Sequence, residues 1–397
     1  MSQSSRPESA DADRVGVWLV GARGSVAATT ITGAAAVAAG IAPETGIVTA
    51  APPFTDAPLP EVGDLVFGGH DLVETPLALR TARLVDSGVI PPGVPEAVRD
   101  QLAVVEDDIR PGITWNEART DPRRAADRVG ADLAAFRERH GLKQVVVINV
   151  SSTEPPFDSH PAHGDRDELL AALGRRLAIL PPSSLYALAA IESGCAYIDF
   201  TPSTGARLPA LEALAEASGV PVAGNDGKTG ETFMKAVLAP GFAARALRVR
   251  SWAGTNLLGG GDGASLAEPS RQRSKVDSKG RALEQILGYP IEAPVRIDLV
   301  RDLGEWKTAW DHVTFEGFLG VRMRVQFTWE GCDSALAAPL VIDLARLGAL
   351  ALERGAGGVV GELGFFFKDP AGTDDHSFHR QYAVLCEWVS ESVEESV

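Results

Sequence analysis

Lysine is scarce in this chain: of its 37 basic residues only seven are lysines, and arginine supplies the rest. A guanidinium stays charged under all physiological conditions, whereas an ammonium can lose its proton when burial or neighbouring cations depress its pKa. The places where lysine is kept are therefore candidates for chemistry. Four of the seven fall in three short motifs: Lys275 and Lys279 in RSKVDSKG, Lys307 in GEWKTAWDH and Lys368 in GFFFKDP. The alternative is codon bias with chance placement. Cysteine is scarcer still. Cys195, Cys332 and Cys386 are too scattered for a disulfide framework, and no pair has metal-ligand spacing; buried thiols in a reducing cytoplasm are expected, and no metal site. Net positive charge is lacking altogether. A formal charge of −16 argues against a nucleic-acid partner and against an anionic membrane, so an anionic substrate needs a locally basic pocket. The apolar stretch at residues 29–42 is rich in alanine and glycine and too short to span a bilayer. The opening MSQSSRPESADAD has no apolar core of a signal peptide, and residues 1–13 read as a disordered tail.

With 397 residues the chain is long enough for two domains with a sizeable core. Residues 15–20 (VGVWLV) form an apolar run, followed by GARGS and then the small-residue helical stretch VAATTITGAAAVAAG. Strand, glycine turn and helix make the opening of a nucleotide-binding α/β unit. The alternation continues with a helix in 121–139, a strand at 145–150, a helix at 183–194, a strand at 196–200, a helix at 208–218 and a strand at 220–224. Such regularity predicts an α/β fold, a Rossmann-type doubly wound parallel sheet. After Gly224 the texture changes to glycine-rich loops and alternating strands such as VRMRVQFTWE at 321–330, which reads as a separate α+β unit. From Ser334 the helical spacing returns and ends at Gly355 as a C-cap. This helix is expected to rejoin the first domain. The expected division is therefore 14–228 with 333–397 as one domain and 229–332 as an insertion that carries lysines. Residues 51–60 are proline-rich and read as a surface loop.

Gly21-Ala22-Arg23-Gly24-Ser25 falls short of a full G-x-G-x-x-G pattern. Two glycines and a serine still allow backbone N–H groups to approach a pyrophosphate at a helix N-terminus, although an ordinary tight turn is the alternative. No acidic residue ends the presumed second strand, GIVTA at 46–50, where a ribose partner belongs.

Taken together and in order from Val15 to Pro370, these segments resemble the inositol-phosphate synthase family, which cyclises glucose 6-phosphate with bound NAD. The resemblance is carried by GARGS, VFGGHDL at 66–72, STEPP at 152–156, SLYALAAIESG at 184–194, GNDGKTGET at 224–232, NLLGGGDG at 256–263, RSKVDSKG, WKTAWDH, DSALAAPLVIDL at 333–344 and FFFKDP. It implies a split Rossmann domain with an inserted catalytic and tetramerisation domain, and a cytoplasmic homotetramer. It implies NAD held by Gly21, Ala22, Arg23, Gly24, Ser25, Val26, Asp71, Ser151, Ser152, Thr201 and Asp226, with Asp71 as the ribose-binding acid. The substrate phosphate is implied at Thr229, Gly230, Glu231, Thr232 and Lys279. The catalytic groups are implied to be Lys275, Lys279, Lys307 and Lys368 with Asp226, Asp262 and Asp333.

The implied chemistry has a physical logic. Oxidising the C5 hydroxyl of a hexose 6-phosphate acidifies the C6 protons, the resulting enolate attacks the carbonyl, and returning the electrons leaves no net redox change. Each oxyanion needs a cation beside it, which clustered lysines in a water-poor pocket supply. Lys275 and Lys279 at i, i+4 share one face of a helix and would depress each other's pKa; a solvated helix face is the alternative. Asp262 in GGGDG could equally be a turn residue, and Lys228 could hold phosphate or merely precede Thr229 as a helix N-cap. The chain departs from the family pattern at His70, Asn225, Glu231, Gly260 and Glu305, where the family has tryptophan, aspartate, glutamine, asparagine and aspartate. These departures spare the lysines. Glucose 6-phosphate is the expected substrate; fructose 6-phosphate would close a five-membered ring by the same steps, and an ordinary NAD-dependent dehydrogenase remains a rival.

Overall fold

The computed structural model describes residues 14–259, 283–284 and 286–394. Seven strands form one wholly parallel sheet: β1 (Val15–Val20), β2 (Leu65–Asp71), β3 (Ile109–Pro111), β4 (Gln144–Asn149), β5 (Ala196–Asp199), β6 (Pro221–Gly224) and β11 (Gly358–Val359). Their order, β3-β2-β1-β4-β5-β6-β11, reverses direction between β1 and β4, which is where a doubly wound sheet opens a crevice beyond its carboxyl ends. All six residues of β1 are buried, as expected of a central strand covered on both faces. One face carries the helices Ser25–Ala38 and Asp333–Glu353, and the other carries Pro122–His140 and Pro182–Glu192.

The second strand lies elsewhere than expected. GIVTA contributes only a short 3-10 turn, Val48–Ala50, and the strand is Leu65–Asp71. The N–H groups of Val48 and Thr49 are spent on the carboxylate of Asp343, at 3.0 and 2.8 Å, so they cannot join a ladder. As a result β2 ends on an acid, Asp71, at the topological position where a ribose partner belongs.

Helix Asp333–Glu353 packs against Ser25–Ala38, β4 and β5. It has the length and hydropathy of a membrane span, yet 72% of its most apolar window is buried inside the α/β unit, so its composition reflects packing on several sides. Gly355 follows its end with φ +66°, the left-handed conformation of a C-terminal cap. Beyond it, β11 adds an edge to the sheet and a further helix, Phe378–Glu394, docks through Phe378 and Tyr382 on Phe365.

Between β6 and helix Asp333–Glu353 lies a second, four-stranded sheet of order β10-β9-β7-β8, from β7 (Arg248–Leu258), β8 (Val295–Leu299), β9 (Trp306–Glu316) and β10 (Arg322–Cys332). Helix Gly230–Ala244 covers one face, around a core that includes Ala239, Val249, Trp252 and Val313. The chain leaves the parallel sheet after Gly224 and returns at Asp333.

Candidate active site

The turn after β1 is tied down from two sides. Gly21 and Ala22 donate their N–H groups to the carbonyl of His70, and the Arg23 N–H donates to Asp71 Oδ2 at 2.6 Å. Gly21 has φ +88°, and a Cβ there would lie 2.8 Å from Ser151 Cα, so only glycine lets the β1 and β4 loops meet this closely. Helix Ser25–Ala38 then starts with no side-chain cap and no acid in its first turn, so its free N–H groups and dipole favour an anion. The Arg23 guanidinium turns aside to Glu106 and the Val73 carbonyl.

Beyond these loops lies a cleft of about 520 Å³ lined by Gly21, Gly24, Ser25, Val26, Asp71, Ser151 and Ser152 among others, with Gly259, Trp306 and Lys307 on the opposite wall. A dinucleotide fits this construction: an uncapped helix end for the pyrophosphate, and a carboxylate at the end of β2 for the ribose. Asp71 Oδ1 also accepts the Val73 N–H at 2.7 Å, so its carboxylate is fixed in place. Arg23 and Ala22 contribute backbone to the turn.

The β4 and β5 ends are braced by a buried carboxyl. Asp199 accepts from the hydroxyls of Tyr197 and Thr201 and from Asn149 Nδ2, and Asn149 Oδ1 in turn accepts the N–H and hydroxyl of Ser151. Complete burial pushes the Asp199 pKa up to about 7 despite these donors. His70, the residue before Asp71, is fully buried. Its Nδ1 accepts the Trp18 indole N–H at 2.8 Å, so the ring proton sits on Nε2, 3.0 Å from Asp132, and burial pushes its pKa down.

At its inner end the cleft meets a smaller cavity of about 140 Å³; Val26, Ser151, Lys307 and Asp333 line both. Here two lysine–aspartate pairs come together. Lys368 Nζ lies 2.8 Å from Asp226 Oδ1, and Lys307 Nζ lies 3.2 Å from Asp333 Oδ2. The first pair is built by backbone pairing of 225–228 with 366–369: Lys368 N–H donates to the Asp226 carbonyl, and Lys228 N–H to that of Phe366. Asp226 has φ +62°, unusual for a residue with a Cβ, and is held there because its own N–H is bound to the Thr201 carbonyl. Asp333 opens its long helix and also accepts the Thr229 hydroxyl at 3.3 Å.

Thr201, Thr229 and Thr232 line the smaller cavity, and Thr229 is the N-cap residue of helix Gly230–Ala244 without a side-chain cap bond. Glu231 takes no part through its side chain. It is 1% exposed and faces Lys235, 2.5 Å away, so its charge is neutralised under the second sheet. Lys228 likewise points away, to Gln381 Oε1 at 2.6 Å, and burial pushes its pKa down to about 7. Asn225 donates to the Ser203 carbonyl. Lys275, Lys279, Asp262 and Gly260 lie outside the described residues.

One residue was passed over in the sequence. Asn256 on β7 is 1% exposed and lines the smaller cavity, yet neither its Oδ1 nor its Nδ2 meets a partner among the described residues. An amide left this way costs stability unless something else completes it. The only sequence signal was its position heading NLLGGGDG.

Comparison with known proteins agrees with this fold. The sequence profile of the myo-inositol-1-phosphate synthase family, an NAD-binding family, matches residues 15–390. Inositol-3-phosphate synthase 1 of Bacteroides thetaiotaomicron is 30% identical over 94% of this chain and 93% of its own. The Drosophila melanogaster inositol-3-phosphate synthase is 34% identical over 56% of this chain, which spans 41% of that longer protein. The crystal structure of inositol-3-phosphate synthase from Caenorhabditis elegans superposes with a TM-score of 0.84 at 24% identity, covering 95% of this chain and 85% of that one, a likeness of fold. The chain belongs to the myo-inositol-1-phosphate synthase family, enzymes of the carbocyclising isomerase type, and its cofactor is NAD.

Proposed function

We propose that this protein cyclises D-glucose 6-phosphate to a myo-inositol phosphate without net redox change. The observation that carries the reading is the pair of lysine–aspartate contacts at the inner end of the dinucleotide cleft, beside a buried asparagine with an uncompleted amide. Bound NAD supplies the oxidation at C5 and its later reversal. The chain's own groups do the rest. The first-turn N–H groups after Thr229, with the Thr232 hydroxyl, hold the phosphate. Lys368 and Lys307, each kept beside a carboxylate, offer their remaining N–H bonds to the oxygens that gain charge at C5 and at the enolate, and move protons through Asp226 and Asp333. Asn256 matches a sugar hydroxyl, which accepts and donates as an amide does. Lys275, Lys279 and Asp262 join this set by resemblance. In the same reading, 14–228 with 333–397 form the cofactor domain, 229–332 form the catalytic and assembly domain, and the protein is a homotetramer.

The test is phosphorus and carbon NMR of the purified protein with NAD and carbon-labelled sugar phosphate. A six-membered inositol phosphate from glucose 6-phosphate is expected. A five-membered cyclitol phosphate from fructose 6-phosphate would redirect the same lysine chemistry to another substrate. Stoichiometric free NADH, with an oxidised sugar phosphate as the final product, would make the protein an ordinary dehydrogenase.

A further inference from the structure

The strand that carries Lys307 begins at Trp306, and the two side chains leave it in opposite directions. Lys307 turns inward to Asp333, while the Trp306 indole N–H reaches across to the Ser87 carbonyl at 2.7 Å. Ser87 caps helix Leu77–Asp86, which follows β2 and Asp71 and carries Arg80. The wall on that side of the large cleft is made by Asp71, Leu72, Val73 and Arg80, and the facing wall by Glu305, Trp306 and Lys307. The bond therefore joins the two walls outside the space in which the dinucleotide fits. Trp306 is 38% exposed, too open to be explained as a core residue, and its backbone carbonyl also accepts the Gly259 N–H at 3.2 Å, so the clasp grips the end of β7 as well.

We propose that Trp306 is a positioning residue that clasps the cofactor cleft, and that its bond to Ser87 must open before the cofactor can leave. The inference rests on the NAD-dependent, redox-neutral reading of the site, which gives such a clasp a purpose. A cofactor that is reduced and then reoxidised within one turnover must stay in place between the two events. Each NADH released in the interval would leave behind one sugar phosphate oxidised by two electrons. The same bond fixes the start of β9, and with it the height of Lys307 above Asp333.

The test uses Trp306→Phe, which keeps a ring and removes the N–H, and Trp306→Ala, with thermal melts to show that each remains folded; a half-exposed position makes this the expected result. NADH release is followed by stopped-flow fluorescence, without sugar, after mixing with excess NAD. Release about tenfold faster than the parent's is expected for Trp306→Phe, the scale of one lost hydrogen bond. With sugar phosphate present, free NADH should then accumulate beyond the enzyme-bound amount. Release at the parent rate in both variants would overturn the clasp while leaving the cyclase reading intact. Failure of the parent protein to bind NADH would instead remove the cofactor reading, and the clasp with it.

Discussion

At the level of single residues, two carboxylates of the candidate site are held by different partners at its two ends. Asp71 is fixed by two backbone N–H groups at the outer end of the cleft, whereas Asp226 is paired with Lys368 at the inner end. Removing one member of each should therefore have separable effects. Lys368→Ala is expected to lower kcat by about 10²–10⁴, the usual contribution of a group that handles protons and charge, with NAD affinity changed only slightly. Asp71→Ala is expected to weaken NAD binding by tenfold or more, the scale of a charge-assisted hydrogen bond, and sugar phosphate binding far less. Titration calorimetry with each ligand, beside steady-state rates, decides this. An active Lys368→Ala enzyme would remove the lysine from the chemistry, and unchanged NAD affinity in Asp71→Ala would remove that acid from the cofactor site. Lys307 and Lys368, which line the cavities, could be singled out in the sequence because the chain uses so few lysines. Asn256 was not, since an asparagine in a glycine-rich stretch looks like a turn until its amide is found buried and unmet.

Among the elements, β2 was the hardest to read and the reason is physical. Its sequence, LVFGGHD, carries two glycines that argue against a strand, while GIVTA looks like one. Gly69 is required because a Cβ would lie 2.1 Å from the Leu19 carbonyl oxygen on β1, and GIVTA is diverted by the Asp343 carboxylate, 294 residues away from Thr49 in the chain. Neither constraint is local. The remaining expected strands of the parallel sheet were apolar runs between helical stretches, and those are found within a residue or two. The β9–β10 hairpin is legible in part: the alternation at 321–330 marks β10, whereas nothing in the sequence marks the exposed apolar tip. Its tip exposes Phe318 and Leu319 at 88% and 84%, and Val321, Met323 and Val325 continue the apolar line along an edge strand. An uncovered apolar edge invites pairing, so it belongs in the contact between subunits of the proposed tetramer. The double variant Phe318→Ser, Leu319→Ser should shift the mass measured by light scattering toward smaller species. A monomeric parent protein would refute the assignment outright.

For the molecule as a whole, buried ionisable groups give its stability opposing slopes with pH. Burial lifts Asp199 to about 7 and Asp343 to about 6, whereas carboxyls of the unfolded chain titrate near about 4. Between those values the folded protein keeps protons that the unfolded chain has lost, so stability falls as pH rises from about 4 to about 7 and this contribution is flat above. Lys228 behaves oppositely. Its folded value is depressed to about 7 against about 10.4 unfolded, so from pH 7 upward the unfolded chain holds the extra proton and stability rises. Together these groups place a minimum of their summed contribution near neutrality, where the site also needs Asp199 to brace Asn149 and Thr201. Asp199→Asn is expected to flatten the acid limb, by up to about 1.4 kcal/mol per pH unit for one proton, and Lys228→Met to flatten the alkaline limb without touching the acid one. Urea midpoints taken from pH 4 to 10 on the parent and both variants measure the difference directly. If the Asp199→Asn curve runs parallel to the parent's below pH 7, the carboxyl is ionised in the folded state, and the brace beneath Ser151 and Thr201 is a charged one.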